Sequence, residues 1–377
     1  MRFLDLERQR LEELLPGLDA ELIRHSLDDL ERPGSPGLAA FRAAGGPALL
    51  VAAEHAGIGA DPVAAVQVQR AIGARSPSLA VATTMHHFSV ASLVEAGRNS
   101  HGFEWMLLEA VARDGLLMAS GFAEGRPGQA ILSPTMSAEV DGEELLISGS
   151  KKPCSLAHSM DLLTASVSIP RLDGKGQQMA VALIPKATPG LSTRPFWNSF
   201  VLAGAESEEV TLKEVRVRPD LVVRTEIGPH DTLDQLQTVG FLWFEMLMAA
   251  SYLGMASALA ERVLTTGRVA AAERAAIAVE LEAAMGLITG VARGMRQGLA
   301  GEPAFAEALV CRFAVQDAIG RAVGRSVEAL GGMAYIGSSD VAYLAACTKA
   351  LAFHPPSRAR MSEPLCDYFG GAPLRVS

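Results

Sequence analysis

The chain has 377 residues, 49% of them hydrophobic and 20% charged, which is enough to bury a large core and suggests two or three domains. A net charge of −9 leaves no basic face for a nucleic-acid backbone. Four scattered cysteines, Cys154, Cys311, Cys347 and Cys366, form no Cys-x-x-Cys pair, so neither a zinc site nor a disulfide framework is indicated and a reducing cytoplasm fits.

The N-terminus mixes charges with apolar residues at helical spacing and lacks the apolar run of a signal peptide. Helical periodicity continues through residues 4–15, 61–74 and 103–112, with breaks at Pro33-Gly34, Gly45-Gly46-Pro47 and Arg75-Ser76-Pro77. His86 and His87 sit on a helix where adjacent side chains diverge by roughly 100 degrees, so the pair alone cannot chelate a metal. One of them is expected to face a substrate cavity or the β region.

Near Leu117 the pattern changes to short alternating or β-branched stretches at residues 144–148, 162–169, 179–184 and 209–217, separated by Asp141-Gly142, Asp173-Gly174 and Thr188-Pro189-Gly190. After Pro229 the helical period returns at residues 233–263, 269–297, 303–330 and 341–353. Residues 239–260 are apolar and long enough to span a membrane, but no basic flank follows the positive-inside pattern, and a helix buried in a bundle is expected instead. The reading is an α+β, mostly α protein: an N-terminal helical domain (1–116), a central β domain (117–228) and a C-terminal four-helix bundle (229–377).

Several local segments, in this order, carry a resemblance. They are Glu54-His55-Ala56-Gly57-Ile58-Gly59; Gly149 to Ala157 with Asp161 following; Trp197 to Val217; and Leu330-Gly331-Gly332-Met333-Ala334-Tyr335 followed by Phe353-His354-Pro355-Pro356. Together they resemble the acyl-CoA dehydrogenase superfamily over nearly the whole chain, whose central domain is barrel-like.

That resemblance implies a flavin, FAD in most relatives, held between the β domain and the bundle. Phe122-Ala123-Glu124 falls where relatives line the isoalloxazine, and Pro153-Cys154-Ser155 falls where they cover its other side, with the Ser155 hydroxyl available to polarise the ring. Gly331 and Gly332 match a loop that lets backbone approach a cofactor phosphate, and Glu328 stands where relatives carry Gln. The nearest equivalent of their Arg-x-x-Phe-Gly motif begins at Arg262 and does not fit, which implies weaker flavin anchoring.

The carboxylate that removes an acyl thioester's α proton is replaced here, at the segment 353–357, by Phe-His-Pro-Pro-Ser. Glu245 is the alternative base, on the first bundle helix but one residue out of register, opposite Phe244. An Arg of the bundle is its expected partner if the role is structural. His354 suits a different chemistry, because monooxygenases of the same fold resemble this segment and a histidine, expected to titrate near neutrality, can hydrogen-bond activated oxygen or take a proton from an amine or phenol.

The leading expectation is therefore an FAD-dependent oxidoreductase acting on an acyl-CoA or acyl-carrier-protein thioester, with an electron-transfer flavoprotein as partner. The alternative is a two-component monooxygenase using reduced FMN or FAD from a flavin reductase, and a third reading is a non-catalytic homologue. The resemblance also implies a homodimer or homotetramer. No metal, nucleic acid or membrane is expected. Arg358 and Arg360 either meet a phosphate or end a helix in solvent.

Overall fold

The computed structural model describes residues 2–98, 103–126, 134–171, 173–225 and 235–375. The N-terminal part folds as α1 (Asp5–Leu14), α2 (Leu18–Ile23), α3 (Leu27–Glu31), α4 (Gly37–Ala43), α5 (Pro62–Arg75), α6 (Pro77–Arg98) and α7 (Phe103–Asp114). Pro62 and Pro77 each stand at the first helical position, where a missing N–H costs nothing, and Asp61 caps α5 by accepting from Ala64 N at 2.8 Å.

The strands are β1 (Met118–Gly121), β2 (Ala138–Asp141), β3 (Glu144–Cys154), β4 (Leu162–Pro170), β5 (Gln177–Pro185), β6 (Leu191–Arg194), β7 (Glu208–Val217) and β8 (Val222–Arg224). They make two four-stranded sheets, ordered β1-β4-β5-β8 and β2-β3-β7-β6. Only the β1–β4 pairing is parallel among the named strands. The β7–β3 ladder pairs Leu145 with Val217 and Lys151 with Val210, with register shifts between Ile147 and Gly149 and between Lys151 and Cys154.

The C-terminal part is α8 (Gln235–Thr265), α9 (Ala271–Arg296), α10 (Gly301–Gly337), α11 (Ser339–Cys347), a 3₁₀ turn (Thr348–Phe353) and α12 (Arg358–Phe369). The expected start of the first bundle helix at 233 and the β-to-bundle boundary at 228 lie outside the described residues. The third bundle helix does not stop at Leu330. It breaks at Gly331, whose φ of 78° and ψ of 169° only glycine adopts cheaply, and resumes to Gly337.

The two helical parts are not separate bodies flanking the sheets. They share one core, because α8 packs directly on α5 and α6. A Cβ on Gly73 of α5 would lie 2.2 Å from the Ser251 carbonyl oxygen, and one on Gly254 of α8 would lie 2.3 Å from that of Arg70, so bare backbone is required on both helices where they cross. Polar side chains at this seam are satisfied across it. Gln69 Nε2 donates to Thr84 Oγ1 (2.7 Å) and to Ala80 O (3.1 Å), and buried Arg70 donates to Glu7 of α1 (2.7 Å), Glu282 of α9 (2.6 Å) and Ser257 of α8 (3.2 Å). The apolar length of α8 is thus accounted for by protein packing around it, 83% of its most apolar window being buried.

His86 accepts from Met118 N on β1 through Nδ1 (3.1 Å) and contacts Pro47 O through Nε2 (3.0 Å), so it faces the β domain. Burial draws its pKa down to about 4. His87 is buried edge-on against Phe41.

Candidate functional site

A cavity of about 350 Å³ opens where α6, the β1-β4-β5-β8 sheet, α8 and the turn after the 3₁₀ segment converge. Periodicity places its walls. On α6 the residues Val81, Met85, Phe88, Ser89, Ser92 and Ala96 recur at three and four spacing and share one face. On β5 the alternate residues Met179, Val181 and Leu183 face the cavity, while Ala180, Ala182 and Ile184 are buried on the other side. From α8 come Gln237, Gly240, Phe241 and Phe244, and from the C-terminal turn Ala350, Phe353, His354 and Pro355.

The loop before β7 supplies Trp197, Leu202 and Ser207. It is pinned from outside, since Tyr343 OH accepts from Leu202 N (2.9 Å) and donates to the buried carboxylate of Glu31. Trp197 Nε1 donates to Val201 O at 2.8 Å, which fixes the indole.

No charged side chain lines the cavity among the described residues. Among those residues the one titratable group is His354. That imidazole packs edge-on against Phe244 (6.1 Å between centroids), which in turn meets Phe88 (5.4 Å). Burial, reinforced by the positive charge of Arg312, pushes the His354 pKa down to about 3, so the ring does not titrate near neutrality, as expected of it from the sequence, but is neutral at any working pH. Its Nε2 lies 2.8 Å from the hydroxyl of Tyr252, which is fully buried. If the imidazole donated, the tyrosine proton would be left without an acceptor, at roughly 1–3 kcal/mol. Tyr252 therefore donates to Nε2, and the imidazole proton sits on Nδ1, the nitrogen free for the cavity.

Behind His354 lies Arg312 of α10, fully buried. Its Nη1 meets both oxygens of Glu245 (3.0 and 2.9 Å) and the Pro356 carbonyl (3.2 Å), and its Nη2 donates to the carbonyls of Leu351 (3.0 Å) and His354 (2.6 Å). Burial lifts the Glu245 carboxyl to about 7, against the pull of Arg312. One guanidinium thus ties α8, α10 and the turn bearing His354 together.

No protein-family model matches the chain. Over its whole length, and over the whole length of the relative, it is 47% identical to the isobutylamine N-hydroxylase of Streptomyces viridifaciens. The chain belongs to the acyl-CoA dehydrogenase-like flavin enzymes. Solved structures share this fold at lower identity. The nitrososynthase of Micromonospora carbonacea var. africana superposes with a TM-score of 0.81 at 19% identity, covering 97% of this chain and 96% of that one. FMN-bound TdsC from Paenibacillus sp. A11-2 superposes with a TM-score of 0.79 at 17% identity, covering 100% and 99%.

Within this acyl-CoA dehydrogenase-like fold, the residues singled out in the sequence divide sharply. Phe122, Ala123, Pro153, Ser155 and His354 come together around the cavity. The others do not. Glu124 lies in a separate polar depression, where it pairs with buried Lys151 (2.9 Å) and accepts from the backbone N–H groups of Thr135 and Met136. Cys154 points away from the cavity because it alternates with Pro153 and Ser155, and burial pushes its thiol up to about 12.

Glu328 is exposed on α10, and Gly331 and Gly332 have open space where a Cβ would stand, so none of the three reaches this chain's own cavity. Glu245 is withdrawn from the cavity by its pairing with Arg312, and its neighbour Phe244 takes the facing position. Arg358 meets a carboxylate rather than a phosphate, donating to Asp317 (2.8 Å) and to Phe313 O. Ser207, Tyr252 and Arg312 had no motif in the sequence to mark them. For Arg312 the signal was indirect: a buried carboxylate at 245 demands a cation.

Proposed function

We propose that this chain is the oxygenase component of a two-component flavin-dependent monooxygenase that N-hydroxylates a small aliphatic primary amine, using reduced FMN or FAD delivered by a separate reductase. The cavity's uncharged lining carries the reading. An acyl thioester dehydrogenase needs a carboxylate over the α carbon, and none faces the cavity among the described residues. An amine, by contrast, is nucleophilic only when neutral, and an apolar cavity without a counter-ion disfavours the ammonium form. The full-length relatedness to an isobutylamine N-hydroxylase supports the same substrate class.

The residues fit the ring of a flavin. Ser155 and Ser207 face each other at 2.9 Å, and since their mutual bond uses one proton, one O–H is left that would donate to a ring acceptor, in a cavity that Phe122 and Trp197 also line. When bound, the reduced flavin would supply the activated oxygen. Among the described residues no cation lines the cavity to hold a flavin phosphate, which suits a flavin that is exchanged with a reductase. Glu328, Gly331 and Gly332, beside exposed Met333 and Ile336, suit contact with a neighbouring copy instead. His354 would donate its Nδ1 proton toward the reacting oxygen while Tyr252 holds the ring in that tautomer.

The test is anaerobic addition of acyl-CoA thioesters to the flavin-loaded protein, beside aerobic turnover with a flavin reductase, NADH and isobutylamine. Unbleached flavin and N-hydroxylated product are expected. Bleaching by a thioester without hydroxylated product would overturn the reading.

Two further results are expected. Replacing His354 with Ala lowers the fraction of NADH coupled to product about tenfold, the worth of one such hydrogen bond, with hydrogen peroxide appearing instead, and His354→Gln restores part of it. Unchanged coupling would remove His354 from the reaction. The acid limb of kcat/KM follows the amine itself, rising about tenfold per pH unit toward a pKa of ~10, because His354 is already neutral throughout. A limb near 6.5 that disappears in His354→Gln would contradict this.

A further inference from the structure

The polar groups on the α6 side of the cavity are almost all acceptors. Ser89 Oγ donates its one proton to Met85 O (2.9 Å), Ser92 Oγ donates to Phe88 O (2.9 Å), and Thr164 Oγ1 donates to Ala119 O (3.0 Å). All three side chains line the cavity. Ser89 and Thr164 lie 3.5 Å apart, too far for a strong bond between them. What these hydroxyls present to a ligand is therefore lone pairs.

We propose that Ser89, Ser92 and Thr164 form the subsite that receives the substrate's amino group. This deepens the amine-hydroxylase reading and rests on it. A neutral primary amine has two N–H donors and one lone pair. Acceptors that hold the two N–H groups leave the nitrogen lone pair pointing away from them, into the cavity, where oxygen transfer requires it. The same patch rejects a thioester or carboxylate, whose oxygens would meet only other lone pairs. Because the acceptors are neutral hydroxyls, they do not hold the substrate in its unreactive ammonium form, as a buried carboxylate would.

The helix opposite limits size. A Cβ on Gly240 of α8 would stand 2.7 Å from Ser92 Oγ, so a side chain there would press on the acceptor. Gly240→Ala is expected to weaken amine binding without removing any hydroxyl.

Calorimetric titration of the flavin-loaded protein with isobutylamine at pH 9, beside N,N-dimethylisobutylamine, which has no N–H, reads the subsite without turnover. The native protein is expected to favour the primary amine. Ser89→Ala and Ser92→Ala each weaken isobutylamine about tenfold while binding of the dimethyl analogue shifts less than twofold, and Ser92→Cys, a poorer acceptor of similar size, follows Ser92→Ala. Equal weakening of both probes, or isobutylamine binding within twofold of native in the serine variants, would overturn the subsite. Selective loss of isobutylamine binding in a protein that yields no hydroxylated amine would keep the subsite and retire the reaction.

Discussion

Replacing Arg312 with Ala is expected to destabilise the protein by about 3–5 kcal/mol, the range found when one partner of a buried ion pair is removed. Two consequences add up. The Glu245 carboxylate is left fully buried without its counter-charge, and the carbonyls of Leu351, His354 and Pro356 lose their donor together. The urea midpoint of unfolding measures the first. Because a loss of that size reduces the amount of folded enzyme as well as its coupling, the double variant Glu245→Leu with Arg312→Met separates folding from positioning. An apolar pair of similar volume removes the buried charges and should recover most of the stability. It does not restore the tie on the turn, so peroxide release should still exceed the native level. Full recovery of both stability and coupling would mean that Arg312 serves folding alone and has no part in holding His354.

Gly254→Val is expected to cost more than the 1–3 kcal/mol typical of overpacking, because the added carbon meets backbone rather than a side chain that can rotate away. The Cβ would lie 2.3 Å from Arg70 O and 2.9 Å from Gly73 Cα, so α5 and α8 must separate, and α8 carries the cavity residues Gln237, Gly240, Phe241 and Phe244. Gly286→Ala on α9 is the internal comparison. Nothing lies within 4 Å of its Cβ, and helix propensity alone predicts a gain of up to about 1 kcal/mol. Thermal unfolding of the two variants should move in opposite directions. Equal shifts would refute the close crossing of α5 on α8.

Much of the fold was legible because periodicity is a local property. The alternating stretches at 162–169 and 179–184 are β4 and β5, and the helical stretches at 4–15, 61–74 and 103–112 are α1, α5 and α7. What periodicity could not supply was partnership. The apolar run of α8 is long enough for a membrane span, and although its flanks favoured a bundle helix, the sequence did not say which helix it would lie against; Gly73 and Gly254 meeting across the seam place it on α5. Strand alternation separated Ser155 from Cys154, a distinction that the motif alone did not make.

The carboxylates were the least readable. Glu245, Glu124 and Glu31 are each buried, and a buried carboxylate in a sequence looks catalytic or structural until its partner is known. Their partners, Arg312, Lys151 and Tyr343, are 67, 27 and 312 residues away. Such distances leave no pattern along the chain.

The sequence by itself determined the helix–strand–helix order, the resemblance to acyl-CoA dehydrogenases and the substitution of Phe-His-Pro-Pro-Ser for the usual base, because those are statements about neighbouring residues and composition. The tertiary structure alone decided that no charged side chain among the described residues lines the cavity, that Glu245 belongs to Arg312, and that the hydroxyls of Ser89, Ser92 and Thr164 have given their protons to backbone carbonyls. Charge and hydrogen-bonding capacity are properties of what surrounds a group, and the surroundings of a residue are assembled only when distant segments pack.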